Sequence, residues 1–278
     1  MNLELAGRIV CVTGGSEGIG LATAQAFAQE GAQVVICARR QHKLDEAVAS
    51  CLTENGGSIE AVQADITKLA DIEKLIAHIR ARFGRLDILV NNAGTGIYKP
   101  FATVTEEDLQ DGMALNFFAQ FRVSQRALPL LKTSSYASII NISGRTAVRG
   151  NFPPGSSCTG PAKAAEVRFS VDLATELAEF GIRVNCVIPG VVKSEARLRL
   201  WETQAAGGQW QAKTALANRD KLEVVSVPAG QTWGVPVDIA NVVVFLASPR
   251  ALYVNGAALT VDGGPHTKSY VSQLYVET

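Results

Sequence analysis

The chain carries no surplus of charge: 26 Lys and Arg stand against 26 Asp and Glu, with an isoelectric point near 6.8. Without a basic field there is nothing to draw in nucleic acid or an anionic membrane surface, and neither is expected as a partner. Paired cysteines are missing as well. The five cysteines (Cys11, Cys37, Cys51, Cys158, Cys186) are scattered singly, with no CxxC pair and no His-rich segment. That set excludes a disulfide framework and a zinc site, and no metal is expected. Cys11, Cys37 and Cys186 lie in apolar runs and read as small buried side chains in a reducing compartment.

Long apolar stretches are absent too. The run at 242–247 is far too short to span a bilayer. The opening MNLELAGRIVCVTGG has no basic region followed by an apolar stretch and a cleavage site, so no signal peptide is read and the cytoplasm is the expected location. There is no internal repeat, low-complexity tract or linker to mark a second domain. The whole of 1–278 is expected to form one domain, with an insertion at about 191–235 and a tail at 265–278.

What the chain does have is apolar material, 47% of 278 residues, arranged in a regular alternation. Short β-branched runs read as strands at 8–13, 33–38, 58–64, 86–91, 137–143, 183–188 and 257–261. Helical periodicity occupies 18–30, 41–53, 69–83, 106–131, 161–180 and 236–248. Gly31 and Gly84 follow two of these helices as stop signals. Strands apolar on both faces, each followed by a helix, predict a doubly wound α/β architecture: about seven parallel strands with helices on both faces.

The first strand runs into Thr13-Gly14-Gly15-Ser16-Glu17-Gly18-Ile19-Gly20, where a helix begins. Glycines let the backbone turn tightly and approach a pyrophosphate, and a helix N-terminus offers unpaired N–H groups and partial positive charge. The placement between strand and helix points to a dinucleotide-binding (Rossmann) turn, although the spacing is GxxxGxG rather than GxGxxG. About 20 residues on, where an acidic residue would bind an NAD ribose hydroxyl, stand Ala38, Arg39 and Arg40. Two guanidinium groups suit a 2′-phosphate, so NADP(H) is expected over NAD(H), with Glu17 as a signal in the opposite direction.

With Asp65-Ile66 after the third strand, Asn91-Asn92-Ala93-Gly94 after the fourth, Asn116, Asn141-Ile142-Ser143, Lys163, Pro189-Gly190 and Val261-Asp262-Gly263-Gly264, the chain resembles the short-chain dehydrogenase/reductase family from about residue 5 to residue 264. The resemblance implies that Gly14, Ser16, Glu17, Gly18, Ile19 and Gly20 form the phosphate turn. It further implies that Asp65 bonds the adenine amine, Ile66 flanks the ring, and Asn91, Ala93 and Gly94 border the ribose. Pro189, Gly190, Val192 and Ser194 would hold the nicotinamide end, with Ser194 where the family usually has a threonine. Lys163 would grip the nicotinamide ribose, and Asn116 would hold a water linking Lys163 to solvent. Self-assembly into a homodimer or homotetramer is implied through the helices at 106–131 and 161–180 and the strand at 257–261.

The departure is in the chemistry. The family's proton donor is a tyrosine four residues before the lysine, and here that position is Thr159. Its substrate-polarising serine corresponds to Gly144, and the neighbouring Ser143 should face the other way. A tyrosine near a lysine exchanges a proton around neutral pH; an aliphatic hydroxyl does not. The leading expectation remains an NADP(H)-dependent oxidoreductase for a bulky apolar or aromatic carbonyl, enoyl or alcohol, with an atypical site built on Lys163, Asn116 and Thr159. Protonation would come from water held by Thr159 and Lys163, from another side chain such as Tyr98, or from the substrate. A redox-neutral cyclase, dehydratase or isomerase, and a non-catalytic NADP(H) sensor, are the alternatives. The aromatic and basic segment with Leu198, Leu200, Trp201, Trp210, Leu216 and Trp233 beside Lys193, Arg197 and Arg199 is read as a substrate cover.

Overall fold

A computed structural model describes residues 2–51, 56–149, 155–206 and 234–263 of the chain. Seven strands, β1 (Ile9–Thr13), β2 (Gln33–Ala38), β3 (Ser58–Gln63), β4 (Ile88–Asn91), β5 (Ala137–Ile142), β6 (Ile182–Pro189) and β7 (Ala258–Val261), make one sheet. Their order is β3-β2-β1-β4-β5-β6-β7 and every pairing is parallel. The doubly wound α/β expectation is met.

The helices are α1 (Gly18–Gln29), α2 (Gln41–Ala49), α3 (Leu69–Phe83), α4 (Glu106–Met113), α5 (Ala119–Leu131), α6 (Thr159–Glu176), α7 (Glu195–Ala206) and α8 (Pro236–Ala247). Because side chains alternate along a strand, each strand feeds two cores. Val10 and Val12 point to the side where Phe27 of α1, Leu44 of α2 and Val243 of α8 pack. Cys11 points to the other, with Leu75 of α3, Val123 of α5 and Ala174 of α6. Strands buried on both faces must be near-continuously apolar, which is why RIVCVT and LDILVN lack the polar alternation of a half-exposed strand.

The chain winds outward from β1 to β2 and β3, then returns to pair β4 on the other side of β1. The return is pinned by Asp87, a buried carboxylate just before β4, which accepts the Ile9 N–H at 2.7 Å across 78 residues. The strand order reverses between β1 and β4, and beyond the carboxyl ends of the strands such a reversal opens a crevice.

Several element bounds differ from expectation, among them the end of α2 at Ala49 instead of 53, and three differences lie around the cleft. The helix expected at 106–131 is interrupted at Ala114–Phe118 by one wide turn, where the Ala119 N–H reaches back to the Ala114 carbonyl. Helical periodicity carries through such a turn, so the sequence pattern does not mark it. The helix expected to begin at 161 begins at Thr159, ahead of Pro161, a residue tolerated in a first turn. Helix α7 falls in the segment read only as a cover, where no apolar stripe marked it. Leu216, Trp210 and Trp233 lie outside the described residues, as do the side chains of Leu200 and Trp201. No helix among the described residues is long and apolar enough to cross a membrane.

Candidate active site

A cleft with a cavity of about 460 Å³ lies at the carboxyl ends of the strands, around the β1/β4 reversal. One end is built from backbone. After β1 the chain turns through Gly14, with φ of 64°, and Gly18, with φ of 58°. A side chain on Gly20 would place its Cβ 2.2 Å from the Gly14 carbonyl, so only glycine lets α1 start this close to the turn. Glu17 is the residue preceding α1, yet its side chain caps none of the helix N–H groups. Those donors stay free to meet an anion. The Glu17 carboxylate is drawn aside by two ion pairs, with Arg40 and with Arg199 of α7.

The next loop is fastened to this turn. Asn92 donates from Nδ2 to the carbonyls of Thr13 at 3.0 Å and Gly14 at 3.2 Å. The Thr13 hydroxyl accepts the N–H groups of Asn92 and Ala93 at 3.0 and 3.1 Å. Arg39 and Arg40 follow β2 and Asp65 and Ile66 follow β3, all four at the cavity wall. Burial works to raise the pKa of Asp65. Two hydrogen bonds from Thr67 and the charge of Arg39 outweigh it and hold the carboxyl below its ordinary value.

The other end is built from side chains of α6 and the strands beneath it. Lys163, 8% exposed, donates from Nζ to the Ile142 carbonyl at 3.1 Å and to Glu166 Oε1 at 2.9 Å. A Cβ on Gly94 would lie 2.8 Å from Asn116 Oδ1 and 3.0 Å from Lys163 Nζ, so the bare backbone there lets the three converge. Asn116, inside the wide turn, is fully buried; its Oδ1 accepts the Thr95 N–H at 3.0 Å and its Nδ2 donates to the Gly112 carbonyl at 2.8 Å.

Thr159 opens α6 at the cavity wall, but its hydroxyl is engaged on both sides. It accepts the Ile97 N–H at 2.8 Å and donates to the Ile97 carbonyl at 3.0 Å. Ser143 gives its hydrogen to the Lys163 carbonyl at 2.7 Å, away from the substrate side expected of its neighbour. A Cβ on Gly144 would meet nothing nearer than 3.8 Å. The Tyr98 ring folds over Gly96 at the cavity wall, where the sequence placed it as a candidate, while Phe101 nearby in the chain is 82% exposed. Cys158 is buried beside Gly112, and burial pushes its thiol up.

Of the residues singled out from the sequence, Gly14, Ser16, Glu17, Ile19, Arg39, Arg40, Asp65, Ile66, Ala93, Gly94, Thr159, Lys163, Pro189, Gly190, Val192 and Ser194 border this one cavity. Gly18 and Gly20 shape it from behind. Asn91 sits lower, fully buried in the sheet, donating to Ser124 at 2.9 Å and Asn141 at 2.8 Å. No group of three or more His, Cys, Asp or Glu is gathered as a metal site among the described residues.

Four contributors escape a reading of the sequence. Asn92 was only a letter in a motif. Arg145, buried at the cavity wall, has Asp262 at 3.2 Å, and 117 residues separate the two in the chain. Glu166 and Gln120 lie under Lys163, with Gln120 Nε2 donating to Glu166 Oε1 at 2.9 Å. A Glu three residues after a Lys reads as a surface ion pair; only the packing of α5 and β6 over it makes it a buried one.

A family model described as short chain dehydrogenase matches residues 8–205. The chain is 35% identical to 3-oxoacyl-(acyl-carrier-protein) reductase of Escherichia coli (strain K12), over 95% of this chain and 98% of that one. L-sorbose reductase from Gluconobacter frateurii, solved in complex with NADPH and L-sorbose, superposes with a TM-score of 0.82 at 32% identity, covering 95% of this chain and 98% of the other. An NADPH-bound short chain oxidoreductase from Pseudomonas aeruginosa PAO1, described as containing an atypical catalytic center, gives 0.80 at 30% identity, over 94% and 98% of the two chains.

Proposed function

The chain belongs to the short-chain dehydrogenase family, and from that premise we propose that it is an NADP(H)-dependent oxidoreductase with an atypical active site, acting on a bulky apolar or aromatic carbonyl, enoyl or alcohol. The observation that carries the cofactor assignment is the end of β2: Arg39 and Arg40 stand at the cavity wall where an acidic residue would bind a ribose 2′-hydroxyl. The cleft suits a dinucleotide on its own terms. The uncapped N-terminus of α1 fits a pyrophosphate, and the carboxylate beside it is already neutralised by two guanidinium groups. The NADPH in the Gluconobacter and Pseudomonas structures supports the same choice.

In this reading Asp65 and Ile66 take the adenine, Ala93 and Gly94 the adjoining ribose, and Lys163 and Ser194 the nicotinamide end. The bound dinucleotide supplies a hydride to the substrate carbon or removes one from it. Lys163 then holds the proton for the substrate oxygen, because its Nζ is at the cavity wall and the Thr159 hydrogen is given to Ile97. Thr159 acts by fixing the loop after β4 onto α6. Asn116 keeps that loop in place through Thr95.

We read the whole chain as one dinucleotide-binding domain in which the stretch at about 191–235 covers the substrate. Arg197 at the cavity wall supports that placement. Exposed Phe121 on α5 and Val171 on α6 support a homodimer or homotetramer, and the five free cysteines support the cytoplasm.

Fluorescence titration with NADPH and NADH in parallel tests the assignment. Tighter binding of NADPH is expected; equal or tighter NADH binding overturns the choice of cofactor. A substrate screen with the NADPH absorbance followed completes it. Product formed while the cofactor stays reduced would replace the redox reading with a redox-neutral reaction on the same pocket.

A further inference from the structure

Glu166 lies three residues beyond Lys163 on α6 and is fully buried. Its Oε1 accepts from Lys163 Nζ and from Gln120 Nε2, both at 2.9 Å. Its Oε2 has no hydrogen-bond partner among the described residues, and neither have Asn91 Oδ1 and Gln120 Oε1. These atoms belong to one buried cluster. Gln120 Nε2 also lies 3.4 Å from the Asn91 carbonyl; Asn91 donates to Asn141, and Asn141 donates to Ser170 at 2.8 Å. Buried acceptors left without donors are costly, and this cluster has three of them. A carboxylic acid in place of a carboxylate turns one of those acceptors into a donor.

The groups that face the Glu166 carboxyl are Lys163 from its own helix, Gln120 from α5, Ser143 from the end of β5 and Cys186 from β6, while Ser170 donates to the Glu166 backbone carbonyl. Burial pushes Glu166 up to about 7, with the charge of Lys163 and its hydrogen bond pulling in the other direction. Burial, reinforced by the nearness of Glu166, pushes the Cys186 thiol up to about 12, so it stays neutral and does not compete. A carboxyl kept only for shape and hydrogen bonding would be served equally by an amide.

We propose that Glu166 is a positioning residue for the reaction: from beneath the cavity floor it holds the Lys163 ammonium in place and keeps a reserve proton one hydrogen bond behind it. The step rests on the oxidoreductase reading above for its trigger. When hydride from a reduced dinucleotide reaches a substrate carbonyl carbon, the electron pair of the C=O bond moves to oxygen. A Lys163 N–H bond breaks and an O–H bond forms, leaving a neutral amine. Glu166 then passes its carboxylic proton to that amine, which restores an ammonium against a carboxylate, and a solvent hydronium later returns a proton to the carboxylate by way of Lys163 at the cavity wall. Alcohol oxidation runs the same path in reverse. The pair thereby does at Lys163 what a phenol at position 159 would do directly.

The test needs neither cofactor nor substrate, so its failure is separable from failure of the oxidoreductase reading. Lysine labelled with ¹³C at Cε is incorporated, the Lys163 signal is assigned by its loss in Lys163→Arg, and its shift is followed between about pH 5 and about pH 9. In the wild type the signal should pass through an inflection near neutrality as its partner ionises. Glu166→Gln, which keeps the shape and the hydrogen bonds, should remove that inflection while the far-UV circular dichroism stays unchanged. A wild-type signal flat over the range, or an inflection that survives in the Gln variant, overturns the proposal. Should the Gln variant fail to fold, infrared difference spectra of the wild type decide. A carboxylic-acid carbonyl band that titrates near neutrality is expected, and its absence overturns the proposal.

Discussion

The two ends of the cleft are made differently. At the glycine turn, binding groups are backbone N–H donors held by strand ends, helix starts and the Asn92–Thr13 fastening, and the charged side chains nearby face water. At Lys163, the working groups are buried side chains whose partners are other side chains, with acceptors in excess of donors. A site made of backbone is fixed by the fold and changes little when single residues change. A site made of buried side chains has its chemistry reset by one or two substitutions, and the proposed exchange of a tyrosine for Thr159 and of a serine for Gly144 would be such a change. In the oxidoreductase reading proposed above, the cleft would keep its ligand-binding half while its reactive half departs.

The largest effect that sharpens this contrast is expected for Lys163→Met. It strips the buried Glu166 of its ammonium partner, and leaving a buried polar group unpaired costs about 1–3 kcal/mol. The loss should be read by urea unfolding and should be smaller at acid pH, where Glu166 is protonated. Turnover should drop by roughly 10² to 10⁴, the worth of a positioned acid. Full activity in this variant would remove Lys163 from the chemistry.

At the backbone-built end, Arg39→Ala with Arg40→Ala should weaken NADPH binding by about 10² while NADH binding changes little, since a hydrogen bond to a charged group is worth about 1.5–3 kcal/mol. Fluorescence titration distinguishes the outcomes. Equal loss of both cofactors would mean that the pair shapes the cleft instead of reading a phosphate.

A smaller effect concerns pH. Glu166 is pushed up from an ordinary value of 4.5 to about 7 in the folded chain, chiefly by burial. Between those values the folded state holds a proton that the unfolded chain has released, so stability is highest below the lower value and declines as pH rises through the upper one. The melting temperature should therefore fall from pH 4.5 toward pH 7 in the wild type, and the slope should flatten in Glu166→Gln. A wild-type melting temperature that climbs over this window, by calorimetry, would place the carboxyl in its ionised form throughout.

The smallest change is expected from Gly144→Ser. The nearest atoms to a new Cβ are at 3.8 to 4.0 Å, an ordinary contact, so stability should stay within about 0.5 kcal/mol. A large loss would show that the space beside Lys163 is needed empty.

Much of the architecture was legible because parallel strands buried on both faces leave an unmistakable record: β2 and α3 fall at 33–38 and 69–83 as the apolar runs and Gly84 indicate. The glycine turn and the arginines after β2 were legible for the same reason, since each is local in sequence. The wide turn at Ala114–Phe118 was not, because one extra residue in a helix leaves apolar periodicity nearly intact. Glu166 was not, because its burial depends on α5 and β6, neither of which its neighbours in the chain announce. Nor was the Glu17–Arg199 pair, which joins residues 182 positions apart.

The place of β1 in the sheet also sets a schedule. It is flanked by β2 on one side, available soon after it is made, and by β4 on the other, which arrives 78 residues later at the Ile9–Asp87 contact. At about 5–20 residues per second on the ribosome, one edge of this apolar strand stands open for several seconds. An open edge of Ile, Val, Cys and Val is a template for pairing with another nascent chain. The longer β4 takes to arrive, the more newly made copies are exposed to that mispairing before the sheet closes.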